Sequence, residues 1–65
     1  MSIKVTFSQA ADALLSGRTV WSAPDLRVAC GLSLARPMSK RRARRRLELF
    51  RAICGGEGFY LREGT

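Results

Sequence analysis

The amino-acid sequence predicts a small α+β domain in which three helices accompany a short two- or three-stranded sheet. Ala43, Leu47, Phe50 and Cys54 recur at spacings of four, three and four, an apolar stripe at helical period. Ile3, Val5 and Phe7 alternate with Lys4 and Thr6, the period of a strand or equally of an extended arm packing its apolar residues, and Phe59-Tyr60-Leu61-Arg62 alternates like a half-buried strand. With 65 residues the chain has room for one domain, spanning 1–65. A domain of that size buries only about 60% of the surface its unfolded chain exposes, so its core is thin and no substrate cavity closed on all sides fits inside it.

Each element follows from local chemistry. After the alternating segment at 3–7, Ser8 is placed to cap a first helix over 9–15, a run of good helix formers. Asp12 falls towards the positive end of its dipole, Ala11, Leu14 and Leu15 share its inward face, and Gly17 stops it. Thr19-Val20-Trp21 is short and β-prone. Ser22-Ala23-Pro24-Asp25 then has the form of a helix start, with a capping Ser, a first-turn Pro and an acid three residues on. A second helix is therefore expected over 24–30, with Leu26, Ala29 and Cys30 inward and Gly31 at its end. Pro37 disfavours helix through the connector at 33–38. Ser39 caps a third helix, expected over 40–53, whose buried face Leu49 and Ile53 widen. Gly55-Gly56-Glu57-Gly58 is a turn.

Charge narrows the function classes. Twelve Lys and Arg stand against five Asp and Glu, a formal charge of +7, and ten of the twelve cations are Arg. A field of that sign attracts polyanions, and the planar guanidinium fork matches phosphate and guanine edges better than an ammonium does. Six of the seven residues at 40–46 are cationic: Lys40, Arg41, Arg42, Arg44, Arg45 and Arg46. On a helix they spread over more than one face, with Arg41/Arg45 and Arg42/Arg46 as i, i+4 pairs. They also crowd the end of the helix dipole that favours anions. A row of phosphates relieves both costs and supplies sequence-independent affinity through counterion release. Arg41, Arg42 and Arg45 are the candidates for bases in a major groove. The plainer reading of such a run is a solvated face, and it also fits a grip on an acidic protein.

Other classes are disfavoured. Cys30 and Cys54 make no disulfide framework, there is no CxxC pair and no histidine, so neither a metal nor a cofactor is expected. Both cysteines are expected as small buried apolar residues in reducing surroundings. No apolar run approaches the ~18–20 residues that span a bilayer, and the first residues lack a signal peptide's pattern, so a soluble cytoplasmic protein is expected. Asp12, Asp25, Glu48, Glu57 and Glu63 form no catalytic motif. Glu48, four residues from Arg44, is expected in a surface pair. The glycine-rich turn lacks the lysine and following helix of a phosphate-binding loop. Catalysis is not expected.

Taken in order, the elements from 8 to 62 resemble a winged helix-turn-helix domain of the kind found in small phage and plasmid regulators. Asp25-Leu26-Arg27-Val28-Ala29-Cys30-Gly31-Leu32-Ser33 looks like the first helix and turn of that motif, although Arg27 stands where a small residue is usual and the connector to Ser39 is long. The resemblance implies that 40–53 is a recognition helix in the major groove. It also implies that 55–62 is a reduced wing, with 59–61 pairing against 19–21. Tyr60, on the opposite face from Phe59 and Leu61, is expected exposed, with Arg62 beside it placed to touch a phosphate; Trp21 and Phe59 are expected buried, the alternative being that these three aromatics stack on single-stranded bases. The function implied is duplex DNA binding by a transcriptional regulator, a class that often works as a homodimer. The alternatives are an RNA hairpin bound by the Arg-rich helix, and a phage-type inhibitor or adaptor that grips an acidic protein surface.

Overall fold

Residues 2–56 and 58–62 are described by a computed structural model. They form β1 (Ser2–Val5), α1 (Phe7–Leu15), β2 (Val20–Trp21), β3 (Gly31–Leu32), α2 (Lys40–Cys54) and β4 (Phe59–Arg62), in that order. The strands make one sheet in the order β1-β4-β2-β3, antiparallel throughout. β4 pairs on one edge with β1, from Ser2 opposite Arg62 to Val5 opposite Phe59, and on the other with β2, Trp21 opposite Tyr60. β1 and β2 therefore run parallel to each other with β4 between them, and α1 makes the crossover. By the same reasoning β3 and β4 are parallel with β2 between them, and α2 crosses over. The chain is two interlocked split β-α-β units.

Period two sorts the sheet residues. Val20, Phe59 and Leu61 are buried with Ala10, Ala11, Ala13 and Leu14 of α1 and Leu47 and Phe50 of α2, so both helices cover one face. Lys4, Tyr60, Trp21 and Gly31 lie across the four strands on the other face. α2 packs along α1. Phe7 meets Phe59 edge to face, 5.7 Å between ring centroids, tying the start of α1 to β4.

The first helix begins two residues before the expected start. Thr6, not Ser8, is its cap: the Thr6 Oγ1 accepts from the Gln9 N–H at 3.1 Å, and the Gln9 Oε1 accepts from the Thr6 N–H at 2.9 Å. This reciprocal box satisfies two otherwise unpaired donors. Its end follows expectation, with the Gly17 N–H on the Leu14 carbonyl and the Arg18 N–H on that of Ala13. Asp12 thus lies beyond the first turn, and Leu15, expected inward, is exposed.

The expected second helix is absent, so the described residues hold two helices rather than three, and four strands rather than two or three. The start signal at 22–25 is spent otherwise. Ser22 accepts from the Cys30 N–H at 2.9 Å through its Oγ, and its own N–H donates to the Cys30 carbonyl. These bonds close a β2–β3 hairpin. Asp25 accepts from the Arg27 N–H at 3.0 Å, a local turn that competes with helix. Ser2 Oγ donates to the Pro24 carbonyl at 3.0 Å, drawing the hairpin loop across the sheet face away from the helices. Gly31 is a strand residue: a Cβ there would lie 3.0 Å from Trp21 Cζ3, so the indole lies against bare backbone.

The third expected helix is α2, capped by Ser39 and one residue longer than expected. Ala43, Leu47 and Phe50 are buried and Cys54 is half-buried, as the stripe predicts, but Leu49 and Ile53 are exposed. α2 ends on Gly55 at φ 61°. Gly56 passes so close to β2 that a Cβ would sit 2.7 Å from the Ser22 carbonyl oxygen. A side chain at 56 would push the α2–β4 connection off the sheet. Of the expected pairing of 59–61 against 19–21, Tyr60 opposite Trp21 is present, and β4 pairs along its length with β1.

Leu47 is fully buried between the helices and the sheet. Leu47→Ala is expected to cost about 2–5 kcal/mol, since a thin core has few atoms to refill the space. In a domain of this size that loss leaves much of the population unfolded, which a thermal melt followed by far-ultraviolet circular dichroism will detect.

Candidate nucleic-acid interface

The cationic run becomes a surface because three small facts hold α2 in place. Ser39 Oγ accepts from the Arg42 N–H at 3.3 Å, starting the helix at Lys40. Ala43, the one apolar residue in the run, is completely buried and presses the helix onto its neighbours. Leu47 continues that contact a turn later. With the inward line set at 43, 47 and 50, the six cations must point elsewhere, and all six are exposed.

They divide into three sets. Lys40 and Arg44 flank α1: the Lys40 Nζ lies 3.2 Å from Asp12 Oδ1, and the Arg44 guanidinium stands over the Phe7 ring, 5.3 Å from its centroid. The Lys40–Asp12 pair is well exposed and worth at most about 1 kcal/mol. Arg41 and Arg45 fall on the side of the helix away from the core. Arg42 and Arg46 line the opposite flank, facing the connector. Among the described residues, Arg41, Arg42, Arg45 and Arg46 have no carboxylate within 4.0 Å. Glu48 makes no ion pair with Arg44, whose guanidinium is taken by Phe7. The first turn of α2 contains no acid, and only Arg51 complements the dipole at its far end.

Two open hollows lie along this surface. One, of about 790 Å³, is lined by Ser39, Lys40, Arg41, Arg42, Arg44, Arg45 and Glu48. The other, of about 470 Å³, lies between α2 and the connector. Arg36 enters it from the connector beside Arg42, Arg45 and Arg46. Arg36 carried no signal in the sequence beyond its charge. Only the path of the chain around Pro37 brings it back alongside the helix.

Tyr60 and Arg62 are not part of this surface. They alternate along β4 with Phe59 and Leu61, which face the helices, so they belong to the opposite side of the sheet. Arg62 is exposed, with its carbonyl accepting from Arg18 Nη2 at 3.1 Å. Tyr60, expected exposed, is half-buried. Phe59 is buried as expected, and Trp21 only half so.

The cysteines also depart from expectation. Cys30, placed inward on a helix by the sequence, is exposed beside β3, and Cys54 is half-buried at the end of α2. Both are free thiols. The neighbouring Cys30 thiol, foremost as a polar partner and also through its charge, pushes the Cys54 thiol above its usual range, with burial adding to the effect. Among the described residues no group of three or more Cys, Asp or Glu is placed to hold a metal ion, and no helix is long and apolar enough to cross a membrane.

Compared with the models of known protein families, with curated proteins and with solved structures, the chain shows no match.

The folded state holds the Cys54 proton more tightly than an ordinary thiol does. The stability this contributes is full below the usual thiol pKa and is lost as pH rises through the elevated value. Cys30→Ala removes the first cause of the elevation. Alkylation of Cys54 by iodoacetamide at pH 8, followed by mass spectrometry, is therefore expected to accelerate several-fold, because the thiolate is the nucleophile. An unchanged rate would place the control in burial alone.

Proposed function

We propose that this protein binds duplex DNA through the outward side of α2 and acts as a transcriptional regulator. The observation that carries the reading is the first two turns of α2, where six exposed cations are met by one carboxylate, Asp12. Like charges one turn apart, Arg41/Arg45 and Arg42/Arg46, each oppose helix formation by about 0.2–0.5 kcal/mol. They also crowd the end of the dipole that attracts anions. A chain that tolerates both costs in a thin-cored domain has a surface whose favourable state is the one with phosphates on it. Arg46 reaches one phosphate wall of a groove, Arg41 and Arg45 face its interior and Arg42 lies between them, so that Arg41, Arg42 and Arg45 are the candidates for guanine edges. From the winged-helix resemblance the proposal keeps the basic helix. It places that helix against α1 rather than against a helix at 24–30, and it leaves Tyr60 and Arg62 outside the contact.

Affinity for a 20-base-pair duplex should fall with salt at a slope of about −3.6 to −5.4 in log–log form, corresponding to roughly four to six phosphates. A matched RNA hairpin should bind more weakly. Tighter binding to the hairpin would replace the DNA reading with an RNA one, and no binding to either at low salt would leave an acidic protein as the partner.

The triple variant Arg41→Glu, Arg42→Glu and Arg45→Glu is expected to lose at least about 100-fold in duplex affinity, consistent with the removal of three cations from a phosphate-dominated contact. Its helical circular dichroism should persist, because acids in the first turns suit the dipole. Retained binding would show that another surface makes the contact.

A further inference from the structure

The two hollows beside α2 differ in chemistry, and the difference points beyond phosphate binding. The larger has the carboxylate of Glu48 in its wall and no apolar side chain. The hollow between α2 and the connector is lined by four arginines, Arg36, Arg42, Arg45 and Arg46, and by no acidic residue. The rest of its lining is Pro37, Met38 and Leu49. Leu49 leaves 52% of its surface exposed beside Arg45 and Arg46. Its volume, about 470 Å³, falls within the range of sites for small organic ligands.

We propose that this hollow is a nucleotide site, taking a base and its 5′-phosphate together. The apolar side chains offer a surface for one face of the base, and a guanidinium plane can stack on the other. The remaining guanidiniums fork onto the phosphate oxygens. Neither half of the lining explains the other. A site for inorganic anions has no use for Met38 and Leu49, and an apolar docking patch would not hold four cations. The two walls come from different elements, the connector and α2. Pro37 fixes its own φ and so restricts the swing of the connector wall. The ligand chemistry is shared by a free nucleoside monophosphate and by the phosphorylated end of a nucleic-acid strand. The hollow adjoins the proposed duplex contact and shares Arg42, Arg45 and Arg46 with it.

The test is calorimetric titration of the whole chain with adenosine 5′-monophosphate, adenosine and inorganic phosphate, each up to 10 mM. The nucleotide is expected to bind at one site per chain, at least tenfold tighter than either fragment. A duplex carrying a 5′-phosphorylated single-stranded overhang is titrated beside the same duplex blunt-ended. An overhang bound tenfold tighter than the blunt duplex assigns the site to strand ends, and equal binding assigns it to the free nucleotide. The double variant Met38→Ser and Leu49→Ser should lose nucleotide binding tenfold or more while keeping its circular dichroism and its affinity for the blunt duplex. That retained affinity separates this site from the proposed duplex contact, which stands or falls on the arginines alone. Phosphate bound as tightly as the nucleotide, nucleotide binding unchanged in the double variant, or no nucleotide binding at 10 mM would each overturn the proposal.

Discussion

β4 has to enter a slot between two strands already separated by a helix. It is hydrogen-bonded on both edges, to β1 along its whole length and to β2 at Tyr60 and Trp21. β1 and β2 have no other contact within the sheet. Without β4 the sheet is reduced to a two-residue ladder between β2 and β3, far short of what an isolated hairpin needs to survive in water. The same strand supplies Phe59 and Leu61 to the core, so sheet closure and core burial are one event. The connection from α2 must therefore be short and must pass close to β2, which is the place where Gly56 leaves no room for a side chain.

The position of α2 follows from that closure. Its C-terminal end is anchored by the turn into β4, and its inward line of Ala43, Leu47 and Phe50 is held against α1 and the sheet. The N-terminal turns, where the cations crowd, are held by less: an alanine contact, a serine cap, one exposed ion pair and an arginine over a phenyl ring. The most strongly charged part of the molecule is thus attached by one small buried side chain and by contacts at the surface. An anion bound there would stabilise the fold as well as occupy the surface, because it offsets both the repulsion between neighbouring arginines and their clash with the helix dipole.

The extent to which the sequence was legible varies by element, and the reason is range. α2 was readable almost to the residue, because a stripe at 43, 47, 50 and 54, a serine cap and a glycine stop are all local signals. β4 and the edge β1 were readable from alternation. The segment after Trp21 was misread because its signal is ambiguous at short range. Ser22 and Asp25 cap helices and close turns with the same atoms, and the choice went to the turn once Ser22 bonded to Cys30 eight residues on. Asp12 shows the same effect: its charge suits a helix dipole, yet its partner is Lys40, on another helix. Leu15, Leu49 and Ile53 are apolar and exposed because a 65-residue chain has too little interior to cover every face its periodicity offers.

The sequence by itself determined the basic character of the molecule, the α+β class, the course of α2 and the crowding of six cations onto its first two turns. Each of these rests on residues within a few positions of one another, where spacing along the chain fixes geometry. The tertiary structure alone decided that there are two helices and four strands, that β4 lies between β1 and β2, and that Tyr60 and Arg62 are parted from the cationic helix by the sheet. It alone brought Arg36 beside Arg42 and Arg46, and Cys30 beside Cys54. Strand order and the meeting of distant side chains depend on which surfaces win burial against the whole chain, and that competition has no signature in any short stretch of sequence.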